Sequence, residues 1–239
     1  APHGLSELSS AEYRRFILNL LESGCTDIDE LFRKVLQHYL ENDPETDWFW
    51  DCEDDMEEIF DALGEIAWDF SFNRSGLSSK QRESFRTMLD KACAQYNRKV
   101  LEIMPPHRRH LVRHLLIERD KLLHFLVGAE LGATYGLTLT AVIECNWEFY
   151  GWLATNIQAL FTDEQRLSTR SYWDDAFYDL YMTLKGAHFA NMFDTWCECQ
   201  CRELVKMFIN RQTSLTQFLY LGDEEFIEKL LNEAKERCK

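Results

Sequence analysis

The chain has 239 residues, 41 acidic against 26 basic side chains and a formal net charge of -15; 46% of it is hydrophobic and 13% aromatic. That composition excludes a disordered chain and supports a core for one large or two small domains. The acidic balance disfavours sequence-independent binding to a phosphate backbone, which needs neutralising cations.

Taken in order, the elements read as helices. Glu7 to Glu22 carries Leu8, Phe16, Leu20 and Leu21 and stops near Gly24. Thr26 or Asp27 caps a second helix through Leu31, Val35, Leu36 and Tyr39, which ends at Asp43-Pro44. A third is expected from about Glu53 to Phe70, with Met56, Ile59, Phe60, Leu63 and Ala67 on one face. Ser78 or Ser79 then caps a helix with Phe85, Met88, Leu89, Ala92, Tyr96 and Val100. Pro105-Pro106 ends it, and the next helix runs from 107 to about Val127.

The segment Ala141–Phe161 is apolar nearly all round, with a narrow polar strip of Glu144, Glu148, Gly151, Thr155 and Gln158. Such a helix is expected to be central and buried. Helices over about Tyr172–Lys185 and His188–Gln212 flank Gly186, and Asp223 caps a last one to Arg237. Four prolines and ten glycines leave little turn chemistry for a sheet. The expected fold is all-α: antiparallel helical hairpins over residues 1–239, as an α-solenoid (HEAT-like) or an irregular bundle, with an acidic segment at 41–54 as a flexible element.

Three stretches carry candidate sites. Residues 41–61 hold eleven Asp and Glu and no Lys or Arg. Trp48, Phe49, Trp50, Asp51, Asp54 and Asp55 could dock a basic protein partner, with acids steering and aromatics anchoring. The alternative is an acidic loop whose Trp residues fold onto the core. On the 107–127 helix, His107, Arg108, Arg109, Arg113 and Lys121 could hold a phosphate or contact RNA, or simply form a solvated face. Arg119 projects from the apolar face, so a buried structural ion pair with a carboxylate of an adjacent helix is expected.

"WCECQC", residues 196–201, cannot converge on a metal from one helix. Cys197 and Cys201 read as core and Cys199 as an exposed thiol. The eight cysteines together read as reduced thiols of a cytoplasmic or nuclear protein. No apolar run approaches the ~20 residues of a bilayer span, and no charged-then-apolar signal segment opens the sequence. No membrane contact is expected.

The run "LLIERDKLLHFLVGAELGATYGLTLTAVIECNWEFYGWLA" resembles a central hairpin of the helical-repeat middle domain of translation-initiation scaffold proteins. Phe125, Leu126, Gly128, Glu130, Leu131, Gly136 and Leu137 carry the likeness, over about 40 residues. The resemblance implies a non-enzymatic scaffold binding protein partners within a messenger-RNA or translation complex, with RNA contacted indirectly.

No glycine-rich phosphate loop, G-x-S-x-G elbow or paired Glu-x-x-His motif occurs. No catalytic residue, cofactor or metal is therefore expected, and the first reading is an adaptor for a peptide or helical partner, with homodimerisation open. Two alternatives stand beside it. One is a metal-dependent enzyme using His110, His114 and Glu118 in a helical bundle. The other is an acidic effector mimicking nucleic acid.

Overall fold

The computed structural model describes residues 8–42, 51–105, 116–158, 169–194, 198–222 and 224–239, with backbone alone at 51–53, 155–158 and 169–173. Among the described residues there are nine helices and no strand. They are α1 (Ser10–Glu22), α2 (Ile28–Asn42), α3 (Asp51–Ser71), α4 (Ser79–Ile103), α5 (Arg119–Gln158), α6 (Thr169–Asn191), α7 (Glu198–Ile209), α8 (Leu215–Leu221) and α9 (Glu224–Arg237). The all-α expectation holds.

Local caps set several starts. Ser9 and Glu12 form a capping box on α1, the Ser9 N–H donating to the Glu12 carboxylate at 2.9 Å. Asp27 caps α2 by accepting from the Glu30 N–H, and Ser78 caps α4 reciprocally with Gln81. Each satisfies backbone donors that a helix start leaves open.

The core gathers around Phe189 of α6. Its ring centroid lies 4.9–5.8 Å from those of Phe32, Phe60, Phe125, Phe193, Phe208 and Phe218. Helices α2, α3, α5, α6, α7 and α8 thus meet at one point. Helix α2 also packs on α7, and α4 on α8. Contacts between elements so distant in sequence characterise a bundle, since solenoid units touch only their neighbours.

Helix α5 departs most from expectation. It runs as forty residues, but Gly136 breaks it at φ 71°, ψ 168°. A straight helix would separate positions 124 and 144 by about 30 Å; the His124 and Glu144 side chains meet at 2.9 Å. The chain therefore reverses at Gly136, and α5 is a helical hairpin with arms 119–135 and 137–158. By length and composition Arg119–Ala154 could cross a bilayer, and only 33% of its most apolar window is buried. The reversal breaks that span into two antiparallel arms. The second arm is also not the buried central helix its composition implied: Leu139, Val142, Phe149, Tyr150 and Leu153 are exposed.

Helix α6 fits against the first arm through glycine. A Cβ on Gly186 would stand 1.9 Å from the Phe125 carbonyl oxygen, and one on Gly128 would stand 2.0 Å from that of Thr183. This corrects the reading of Gly186 as a helix boundary. It lies inside α6, retained by close backbone approach rather than by a turn.

The cysteines also differ from expectation. Cys199 is not a free thiol but is bonded to Cys238, tying the start of α7 to the end of α9 across 39 residues. Cys201 is buried, as expected, but also disulfide-bonded. Cys25, Cys93 and Cys145 are free. Cys197 lies outside the described residues.

Replacing Gly186 by alanine forces the α5 and α6 backbones apart. We expect a loss of about 2–3 kcal/mol, the upper range for overpacking a tight core, measured by urea denaturation. A loss below about 0.5 kcal/mol would contradict this packing.

Candidate functional site

Three chain segments converge where the two arms of α5 lie against α6, about three helical turns from the reversal at Gly136. The first arm contributes Asp120, Lys121 and His124, the second arm Glu144 and Glu148, and α6 Asp175, Asp179 and Thr183. The i, i+3 spacing of Lys121 and His124 puts both on one helix face, as does the i, i+4 spacing of Asp175, Asp179 and Thr183.

Lys121 is 7% exposed in its side chain. Its Nζ donates to Asp175 Oδ1 at 2.5 Å and Asp179 Oδ1 at 2.6 Å, with Asp120 at 3.4 Å. Burial opposes its charge, but the hydrogen bonds to Asp175 and Asp179 outweigh burial and hold the ammonium charged well above its ordinary range. A buried, doubly paired ammonium is not available to a phosphate.

His124 bridges the arms and α6. Its Nδ1 lies 2.9 Å from Glu144 Oε1 and its Nε2 3.4 Å from Asp179 Oδ1. Thr183 Oγ1 is 3.4 Å from Nδ1. Burial disfavours a charged ring, but Glu144, Asp179 and Glu148 outweigh it and raise the pKa. Burial is also the main cause raising Asp179. Glu144 is 6% exposed in its side chain, and its Oε1 accepts no well-aligned hydrogen bond despite the nearby ring.

The His124 cluster forms one end of a cleft of about 340 Å³. Trp68, Phe72, Leu123, Val127, Ile143 and Trp147 line its apolar walls. Trp68 and Trp147 meet edge to face at 5.9 Å, closing α3 on the second arm. A mostly apolar cleft with a few convergent polar groups is the common form of a binding site, and this one falls at the small end of the usual range of roughly 300–1,000 Å³.

Behind one wall, Trp68 Nε1 donates to Glu130 Oε2 at 3.2 Å. Glu130 packs so closely on Gly64 that a Cβ there would meet its carboxylate at 2.0 Å. Burial first, then the negative charge of Asp61, pushes the Glu130 carboxyl up to about 7.

The sequence-derived candidates distribute differently. Trp48, Phe49 and Trp50 lie outside the described residues, as do His107, Arg108, Arg109, His110, Arg113 and His114. Asp51 starts α3 as backbone only, and Asp54 is exposed. Asp55 is 4% exposed, so it belongs to the interior and not to an acidic docking face. Arg119 pairs with a neighbouring helix as expected, Nε to Asp90 Oδ1 of α4 at 2.8 Å. Its side chain is 47% exposed, however, so the pair is solvated rather than buried. It sits at the first residue of α5, where the helix end leaves the guanidinium open to water. Glu118, proposed with His110 and His114, is exposed outside α5.

Sequence reasoning missed the His124, Glu144 and Asp179 constellation. Its one visible trace was the Glu144/Glu148 strip in an apolar segment. The chain matches no protein-family model, no curated protein and no solved structure.

The raised Glu130 carboxyl has a stability consequence. Its folded pKa lies above the ordinary ~4.3 of glutamate, so the folded state holds a proton that the unfolded state has lost between those values. Stability then falls as pH rises from about 4.3 to 7. Glu130→Gln should flatten that decline and stabilise the protein at pH 8 by on the order of 1–3 kcal/mol. Thermal unfolding at pH 5 and pH 8 checks this, and an equal effect of the substitution at both would refute it.

Proposed function

We propose that the chain is a non-enzymatic helical adaptor that holds a basic, amphipathic helix of a partner protein on the outer face of the second α5 arm. The observation that carries this reading is the exposed apolar stripe Leu139, Val142, Phe149, Tyr150 and Leu153, up to 65% exposed at Tyr150. Its spacing of i, i+3, i+10, i+11 and i+14 puts the five side chains on one helical face. The neighbouring face, with Thr140, Ile143, Glu144 and Trp147, packs inward or lines the cleft. Trp147 is itself 55% exposed, so the arm's own chain covers its apolar surface only in part.

Charge favours the kind of occupant. At -15 the chain repels a second copy of itself and an anionic lipid surface. A helix with an apolar stripe flanked by lysines or arginines complements both the exposed stripe and this charge. RNA enters this reading indirectly, through the partner. The translation-related setting rests on the resemblance of residues 125–137 alone, while the Cys199–Cys238 disulfide favours an oxidising compartment over the cytoplasm.

A synthetic Leu/Lys amphipathic peptide and its Leu/Glu counterpart test the proposal, with titration followed by calorimetry. The Leu/Lys helix should bind, and Tyr150→Ser with Leu153→Ser should weaken it by more than about 30-fold, as expected for paired anchors. Both positions are exposed, so folding should be unaffected. Three results would overturn the reading: equal binding of both peptides, binding indifferent to the double substitution, or a stripe occupied instead by self-association in sedimentation or by neutral-lipid vesicles in flotation.

A further inference from the structure

We infer that His124, Asp179 and Glu148 form a binding site for a zinc-class divalent metal ion, independent of whether the α5 stripe holds a partner. The three residues come from the first α5 arm, α6 and the second arm, and each places a donor atom within 4.8 Å of the others. A tetrahedral ion with ligands at about 2.0–2.2 Å sets neighbouring donors about 3.3–3.5 Å apart. His124 Nε2 and Asp179 Oδ1 are 3.4 Å apart.

Glu144 supplies a second, independent observation. Its buried carboxylate faces the other ring nitrogen, 2.9 Å from Nδ1, and Oε1 accepts no well-aligned hydrogen bond. A histidine that ligates a metal through one nitrogen commonly presents the other N–H to a carboxylate, which fixes the tautomer and orients the ring. A small rotation of the imidazole about its position aligns Nδ1–H with Glu144 and leaves the Nε2 lone pair facing Asp179 and Glu148. Metal binding thereby completes a hydrogen bond that the metal-free arrangement leaves poorly formed.

The donor set suits a cation: Asp179 and Glu144 face the two ring nitrogens, and Glu148 brings a third carboxylate within reach of the same point. Lys121 holds Asp179 Oδ1, the oxygen that also faces the ring, so an ion binds here by sharing that oxygen with the ammonium or by the carboxylate turning its second oxygen toward Nε2. An imidazole with two carboxylates suits zinc, cobalt or nickel better than calcium or magnesium, which take oxygen-only sets. Three protein ligands leave a fourth position for water or an external donor. The site also ties both arms of the α5 hairpin to α6, so an ion there should hold the two arms together.

The full chain, stripped with a chelator, is titrated with Zn²⁺ by calorimetry and with Co²⁺ by visible absorption. We expect one equivalent bound, a tetrahedral Co²⁺ spectrum, and a rise in the unfolding temperature on Zn²⁺ addition. His124→Gln and Glu148→Gln should each weaken Zn²⁺ at least 100-fold, and Glu144→Gln, which removes only the orienting carboxylate, by about 10–100-fold. Glu148 is half-buried rather than core, so its variant keeps the test valid where His124→Gln fails to fold. No stoichiometric uptake, or uptake unchanged in Glu148→Gln, would overturn the inference. So would binding that survives in His124→Gln and is lost when His110 and His114 are replaced, because the ion would then sit on that pair instead.

Discussion

A single residue at positive φ, Gly136, decides how this molecule is assembled. Any L side chain is strained at φ 71°, whereas glycine adopts it without penalty. The forty residues of α5 therefore fold back on themselves within one position, without an intervening loop. The second arm then lies along the first, and Glu144 and Glu148 reach the level of His124. Without the reversal the same residues would lie tens of ångströms away, and neither the cleft nor the polar cluster would exist.

The reversal also explains the unusual distribution of apolar surface. The first arm is clamped between α3 and α6, the latter at backbone contact through Gly128 and Gly186. The second arm is left on the outside, with one face on the cleft and the other in water. Its inner face carries the charged pair to His124, and its outer face carries aromatic and aliphatic side chains. The buried carboxylates are held by Lys121 and the His124 ring, since isolated buried charges would be costly. Five exposed apolar side chains on one helical face are the kind of feature that marks an interaction surface when they are contiguous, and they lie on the same arm that closes the polar cluster. Partner binding outside and cation binding inside would thus act on one structural element.

Much of the fold was legible in the sequence because helical periodicity is local. The starts at Asp27 and Ser78 and the core faces of α2, α3 and α4 follow from caps and 3.6-residue spacing. What was not legible depends on tertiary geometry. Gly186 looks like a helix breaker until the Phe125 carbonyl is seen against it, and its role is close approach. The apolar run at 141–158 has the composition of a buried helix, and nothing local reveals that the fold leaves one of its faces bare. Lys121 reads as a surface cation because its partners, Asp175 and Asp179, lie more than fifty residues away. Arg119 reads as buried on the helical wheel, but its place at the first turn of α5 leaves it in solvent. Cys199 reads as an exposed thiol, since pairing with Cys238 is invisible from spacing. For the candidate site, the Glu144/Glu148 strip was visible, but its meaning required the reversal that brings it to His124.

The account stands or falls on the hairpin at Gly136, and an inter-arm distance tests it most directly. Spin labels placed at the exposed positions 120 and 149, read by pulsed electron paramagnetic resonance, distinguish the two geometries. Folded-back arms at the usual ~8–10 Å interaxial spacing, with label linkers added, give a distance under about 20 Å. A continuous helix gives about 43 Å for the same pair. A short, narrow distribution would support the hairpin and everything built on it; a distribution centred near the longer value would contradict it.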